Sequence, residues 1–150
     1  DFNEQYQLSY EAYFDTIRRV GLGQRALEQA FRRMIFSVAT INFDDHPKNF
    51  SFLMGPDGRW DISPAYDLAY AEGNWTRQHQ MSMNGKFSDI TRHDLRLMAD
   101  LFDIPEHGEA IVGEVVDALG RWREYAREVD IPQYHVEYLE DRFERLTHLA

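Results

Sequence analysis

Leu27, Ala30, Phe31, Met34, Ile35 and Val38 fall on one face of a 3.6-residue repeat and predict an amphipathic helix over residues 24–39. A shorter helix precedes it. Ser9 can offer its hydroxyl to an orphan amide of Tyr10-Glu11-Ala12-Tyr13-Phe14, Glu11 lies near the positive helix end, and the helix should reach Arg19 or Val20 before Gly21 and Gly23 stop it. The period then changes. Phe50-Ser51-Phe52-Leu53-Met54 alternates as a strand, Gly55-Pro56-Asp57-Gly58 is a turn, and Arg59-Trp60-Asp61-Ile62 is the return strand. Pro64 ends it, since proline lacks an amide donor and pushes Ser63 toward an extended conformation.

Residues 71–80 are polar, contain Gly73 and Asn74, and are expected to form an exposed loop. Met81-Ser82-Met83 is a candidate short strand before an Asn84-Gly85 turn. Thr91-Arg92-His93-Asp94 has the form of a capping box with aspartate in the glutamate position, opening a helix to about residue 102. Amphipathic stretches at 106–129 and 135–149 predict two more helices, with Pro132 between them. Phe31, Phe36, Phe50 and Phe52 are spaced for the core, with Trp60 as a large anchor behind the hairpin. The expected fold class is mainly α with a small β-hairpin, in a single domain over residues 1–150.

Composition narrows the function. A length of 150 residues and 43% hydrophobic content suffice for one core, and 14% aromatic residues argue against disorder. Sixteen basic residues against twenty-six acidic ones, not segregated into blocks, give a net charge of -10 and argue against non-specific nucleic-acid binding, leaving room for a local basic face; no direct nucleic-acid partner is expected. With no cysteine there is neither a disulfide nor a thiolate metal site. No apolar run approaches the ~18 residues of a membrane helix, and no signal peptide opens the chain, so a cytoplasmic protein is expected. Asp1-Phe2-Asn3-Glu4-Gln5-Tyr6 has the pattern of an extended connector, and predicts that the chain is a fragment of something longer.

The candidate chemistry lies in Asn42-Phe43-Asp44-Asp45-His46-Pro47-Lys48-Asn49 and in Tyr66-Asp67. Phosphoryl transfer needs a base that orients the attacking hydroxyl and hard oxygen ligands for the magnesium that accompanies ATP. The D-x-x-x-x-N spacing supplies Asp44 as base and Asn49 as ligand, and the hairpin returns the chain so that Asp67 can stand beside Asn49. Magnesium keeps several waters and phosphate oxygens, so one amide and one carboxylate suffice as the protein share. Lys48 could stabilise charge on the transferred group, and His46, without a second histidine at ligand spacing, is expected to order the loop through hydrogen bonds. Singly, Asn49 could bond its own backbone and Asp67 could cap a turn; their joint placement points to a site. His79, His93, His107, His135 and His148 are scattered and are expected at the surface or at caps, and Gly21-Leu22-Gly23 is a helix-helix turn, since it lacks the other residues of a phosphate loop.

The segments Asn42-x-Asp44-Asp45-His46-x-Lys48-Asn49, Ser63-Pro64-Ala65-Tyr66-Asp67 and Ser82-Met83-Asn84-Gly85-Lys86 together resemble the C-terminal lobe of the HipA-type serine/threonine kinases, which are bacterial toxins. The resemblance extends over essentially the whole chain. It implies the helical lobe of a protein-kinase-like fold, Asp44 as catalytic base, Asn49 and Asp67 as magnesium ligands, and His46 and Lys48 as catalytic-loop positions, Lys48 near the nucleotide. It further implies ATP and magnesium as reactants, a protein substrate of the aminoacyl-tRNA synthetase kind, and a HipB-like DNA-binding antitoxin as partner. An N-terminal lobe carrying the phosphate-binding loop is implied by the family and absent from these residues, so the lobe alone is expected to be inactive. Asn42-Phe43 stands where ordinary protein kinases carry His-Arg, and Asp67-Leu68-Ala69 replaces Asp-Phe-Gly.

Two rivals share parts of this pattern. Small-molecule phosphotransferases of the aminoglycoside or choline kinase sort use the same base-to-asparagine spacing but normally carry a histidine where this chain has Asn42. A non-catalytic scaffold would keep the lobe without needing the metal ligands.

Overall fold

The computed structural model describes residues 8–73 and 77–144. Among them are six α-helices and one antiparallel hairpin: α1 (Tyr10–Val20), α2 (Gln24–Ala39), β1 (Phe52–Met54), β2 (Trp60–Ile62), α3 (Arg92–Leu101), α4 (Glu109–Gly120), α5 (Trp122–Glu128) and α6 (Gln133–Glu144), with 3-10 turns at Pro47–Asn49 and Pro105–Gly108. The expected connector at residues 1–6 and the end of the last predicted helix lie outside the described residues.

Local chemistry sets the first elements. Ser9 Oγ accepts the Ala12 amide at 3.1 Å, and Gly21 closes α1 at φ 82°, a left-handed conformation that glycine adopts without a Cβ penalty. Tyr10, Phe14 and Ile17 of α1 face Phe31, Met34 and Ile35 of α2, and Leu95, Met98 and Phe102 join them, so the core lies among α1, α2 and α3. Ile111, Val112 and Val115 extend it along α4. Phe31 is sealed by Gly108, where an added Cβ would stand 2.4 and 2.6 Å from two of its ring atoms.

The hairpin pairs Phe52 with Ile62, Leu53 with Asp61 and Met54 with Trp60. Its base docks on α1 through Tyr13, whose ring lies 4.7 Å from that of Phe50 and 6.1 Å from that of Phe52. Trp60 departs from its expected role as a core anchor. It is 47% exposed, because the Met54–Trp60 pair sits at the turn end of the ribbon, away from the docked base.

The motif Ser82-Met83-Asn84-Gly85-Lys86 is a latch between α1 and α3. Tyr10 donates its amide to the Ser82 carbonyl at 3.0 Å, and Met83 and Lys86 exchange two backbone bonds around the Asn84-Gly85 turn. The Asn84 amide donates to Glu11 Oε1 at 2.6 Å, its side-chain nitrogen to the Asp94 carbonyl at 3.0 Å, and Lys86 Nζ meets Asp94 Oδ2 at 2.8 Å. The strand expected at 81–83 is therefore a pair of isolated bridges, Ser82 with Ser9 and Met83 with Lys86. Asp94 also closes the capping box with Thr91.

The single helix expected over 106–129 is two. Glu106, His107 and Gly108 all have φ between 53° and 77°, which delays α4 until Glu109. Gly120 is a poor helix former, and at Arg121 (φ -97°, ψ 14°) the chain leaves helical geometry before α5 begins. Among the described residues no helix is long and apolar enough to cross a membrane.

Candidate active site

The loop after α2 is held by pairing with the chain that follows Asp67. Phe43 donates its amide to the Ala71 carbonyl at 3.2 Å and Ala71 donates to Ile41 at 3.1 Å, a short parallel bridge that sets the segment before Asp44 beside the segment after Asp67. Asn42 is buried, and its side-chain nitrogen donates to the Asp67 carbonyl at 3.4 Å. Asp67 itself has φ 54°, in the left-handed region that aspartate enters more readily than most non-glycine residues.

Residues 44–49 close on themselves. Asn49 Nδ2 donates to the Asp44 carbonyl at 3.0 Å, and the Asn49 amide donates to the His46 carbonyl at 2.9 Å across the Pro47–Asn49 turn. With its nitrogen committed, Asn49 has Oδ1 left as the atom to offer a cation. The Asp44 side chain is 51% exposed, and the one basic side-chain nitrogen within 4 Å of its carboxylate among the described residues is His46 Nε2 at 3.9 Å. Proton acceptance from a substrate hydroxyl requires such an open carboxylate. His46 differs from expectation: its Nδ1 is buried and makes no hydrogen bond among the described residues, and 3.9 Å to Asp44 is too long for one.

Tyr66 joins the hairpin's return to this loop. Its hydroxyl donates to the Lys48 carbonyl at 2.7 Å, so Ser51 Oγ, 2.5 Å from the same oxygen, is the donor in that contact. The Lys48 side chain is exposed and unpaired among the described residues. Asn49, Tyr66, Asn42 and Asp45 line one small concavity with Arg33 and Leu68. The structure thus gathers Asp44, His46, Lys48 and Asn49 in one turn and stitches Asp67 to it through Asn42 and Tyr66.

Two buried polar positions beside the loop escape sequence reasoning. Asp45 is 1% exposed and accepts three hydrogen bonds, from Tyr10 Oη at 2.6 Å, His79 Nδ1 at 2.8 Å and the Gln80 amide at 2.7 Å. His79, expected at the surface, is 4% exposed and stands edge-on to Phe43 at 5.1 Å. Part of the loop expected to be exposed over 71–80 is therefore built into the protein. Burial, and then the Asp45 carboxylate, push the Tyr10 phenol well above its ordinary value, so it remains a donor. The signal available in the sequence was the second acid of the Asp44-Asp45 pair; its partners lie 34 and 35 residues away.

A magnesium ion that keeps its waters and phosphate ligands asks for fewer protein donors than a metal caged by protein. Among the described residues no group of three or more His, Cys, Asp or Glu side chains could enclose a metal; one amide oxygen and one carboxylate would leave most of a hard cation's shell to phosphate and water.

Comparisons with known proteins give the family from a domain model and the fold from a solved structure. The HipA-like C-terminal domain matches residues 1–123. None of the curated proteins compared matches the chain. Among solved structures, HipA from Shewanella oneidensis MR-1, in a toxin-antitoxin complex with HipB and operator DNA, superimposes with a TM-score of 0.76 at 22% identity, over 95% of this chain. The chain spans 37% of the length of that HipA. At this identity the likeness shows the fold, which is the mainly helical, hairpin-bearing lobe of a kinase-like architecture. By its domain match over most of its length, the chain belongs to the HipA-like C-terminal domain family.

Proposed function

We propose that this chain is the C-terminal lobe of a toxin kinase that transfers the γ-phosphate of ATP to a serine or threonine of a protein. The observation that carries this reading is the closed Asp44–Asn49 turn, which leaves the Asp44 carboxylate open and commits the Asn49 nitrogen, while Asn42 holds Asp67 against the same loop. Asn49 and Asp67 would hold magnesium, which when bound neutralises charge on the phosphates. Asp44 orients the substrate hydroxyl and takes its proton as the oxygen bonds to the γ-phosphorus and the bond to the β-γ bridging oxygen breaks, releasing ADP. Lys48, exposed at the rim, counters charge on the transferred group, and His46 stands beside the base.

A separate N-terminal lobe would grip the nucleotide. The matched HipA is longer than this chain by such a margin, and the lobe alone is expected to be inactive. A HipB-like antitoxin is the proposed partner, met through this acidic lobe rather than by direct DNA contact, and an aminoacyl-tRNA synthetase is the proposed kind of target. Cytoplasmic residence goes with that assignment.

Titration of the full-length protein with magnesium and a fluorescent ATP analogue tests the ligand assignment. Wild type should bind, and Asp67→Ala should weaken magnesium-dependent binding by at least tenfold; equal binding by the two would remove Asp67 from the site. Labelling of a protein band in cell extract from γ-labelled ATP, rather than of small molecules, separates the protein kinase from an aminoglycoside- or choline-kinase-like enzyme.

A further inference from the structure

Asp45 is a buried carboxylate one residue from the proposed base. Burying a charge is unfavourable unless its lone pairs are satisfied, and a site needed only for packing is served as well by apolar side chains. Here three donors converge on it from two remote segments: the Tyr10 hydroxyl from α1, and His79 Nδ1 and the Gln80 amide from the chain beyond Asp67. Both segments are also held by bonds that do not involve Asp45. Tyr10 is hydrogen-bonded through its amide to Ser82, and the His79 amide donates to the Phe87 carbonyl at 2.8 Å. The adjacent Asp44 carboxylate has no hydrogen bond among the described residues, so its position is set by the backbone on either side. On one side is the bridge from Ile41 and Phe43 to Ala71; on the other is Asp45.

We infer that Asp45 is a positioning residue for phosphoryl transfer: it fastens the loop carrying Asp44 to α1 and to residues 79 and 80, so that the placement of this later segment is transmitted to the base. The inference rests on the kinase reading of Asp44. Asp45→Asn keeps the size of the side chain but removes its charge and forces Tyr10 and His79, or else Gln80, to meet an amide nitrogen in place of a carboxylate oxygen, which loosens the anchor and shifts the loop without emptying the core. Tyr10→Phe removes one donor and His79→Gln moves one away from the Nδ1 position, each leaving the carboxylate in place.

The test uses the full-length protein with γ-labelled ATP and cell extract, counting active molecules by magnesium-ATP binding and working well below each variant's unfolding temperature. Asp45→Asn should lower transfer per nucleotide-binding molecule ~10–100-fold with the KM for ATP nearly unchanged, as expected for a base displaced by a fraction of an ångström to an ångström. His79→Gln should lower it several-fold, and should add little on top of Asp45→Asn, because both act through one contact. Transfer by Asp45→Asn within twofold of wild type, or a loss that follows the fraction unfolded, would overturn the positioning role while leaving the kinase reading intact. A wild type that binds magnesium-ATP yet labels no protein would overturn the kinase reading and this inference with it.

Discussion

Replacing Asp94 by asparagine should loosen the latch that joins α1, the Asn84-Gly85 turn and α3, and should do so in a pH-dependent way. Asp94 is 2% exposed, and its Oδ2 accepts from Lys86 Nζ at 2.8 Å, the Thr91 amide at 2.8 Å and the Thr91 hydroxyl at 2.6 Å. Burial alone would push its carboxyl up, but the Lys86 ammonium and the Thr91 donors overcome this and hold it at about 2, against an ordinary 3.8. At about 1.4 kcal/mol per tenfold change, that difference corresponds to about 2.5 kcal/mol favouring the folded state at neutral pH. The Lys86 side chain is 46% exposed, and solvent screening brings the expected figure to about 1–2 kcal/mol. Because the folded value lies below the unfolded one, this stability is fully present above about pH 4 and is lost as pH falls toward about 2. Urea unfolding of wild type and Asp94→Asn, followed by tryptophan fluorescence from pH 7 to pH 2.5, measures it. The gap between the two proteins should be about 1–2 kcal/mol at pH 7 and should narrow steadily below pH 4. A gap of the same size at both ends of the range would refute the electrostatic origin, and no gap at pH 7 would refute the latch.

Gly108→Ala should destabilise by about 2–5 kcal/mol in the same assay, about 1–2 from the left-handed backbone at φ 77° and about 1–3 from a Cβ driven into the Phe31 ring; a loss under about 1 kcal/mol would mean that the core yields there. Tyr66→Phe removes the hydroxyl bridging the Lys48 carbonyl and Ser51, and should lower phosphoryl transfer by the full-length protein by about tenfold with less than about 1.5 kcal/mol lost in stability. Unchanged transfer in Tyr66→Phe would show that the bridge does not position the loop. Asn42→Ala should weaken magnesium-dependent nucleotide binding several-fold, since it frees the Asp67 carbonyl and with it the left-handed backbone at that residue; titration with the fluorescent ATP analogue reads this directly.

How much of this was legible in the chain follows from where each signal is stored. Ser9, Gly21 and the Thr91–Asp94 box act within a few residues, so the bounds of α1 and α3 fall close to the expected ones. The hairpin is legible because its Gly55–Gly58 turn is local, although Trp60 is exposed rather than buried, and alternation alone does not say how far a ribbon extends past its support. The break between α4 and α5 is hidden by an apolar pattern that continues through Gly120. Asp45 and His79 could not be paired from sequence, because a buried hydrogen bond across 34 residues leaves no periodic trace. Asp44, Asn49 and Asp67 are proposed from a spacing that suits a chemical task, whereas the clasps beside them, from Asn42 and Tyr66, are tertiary and have no counterpart in the spacing.

The most direct measurement of the central claim is single-turnover transfer from γ-labelled ATP to protein by the full-length protein and its Asp44→Asn variant, with magnesium-ATP binding measured on both. The account predicts that Asp44→Asn binds magnesium-ATP within about threefold of wild type and loses at least ~100-fold in transfer. Transfer by Asp44→Asn at the wild-type rate would contradict the assignment of Asp44 as the base on which the proposed function rests.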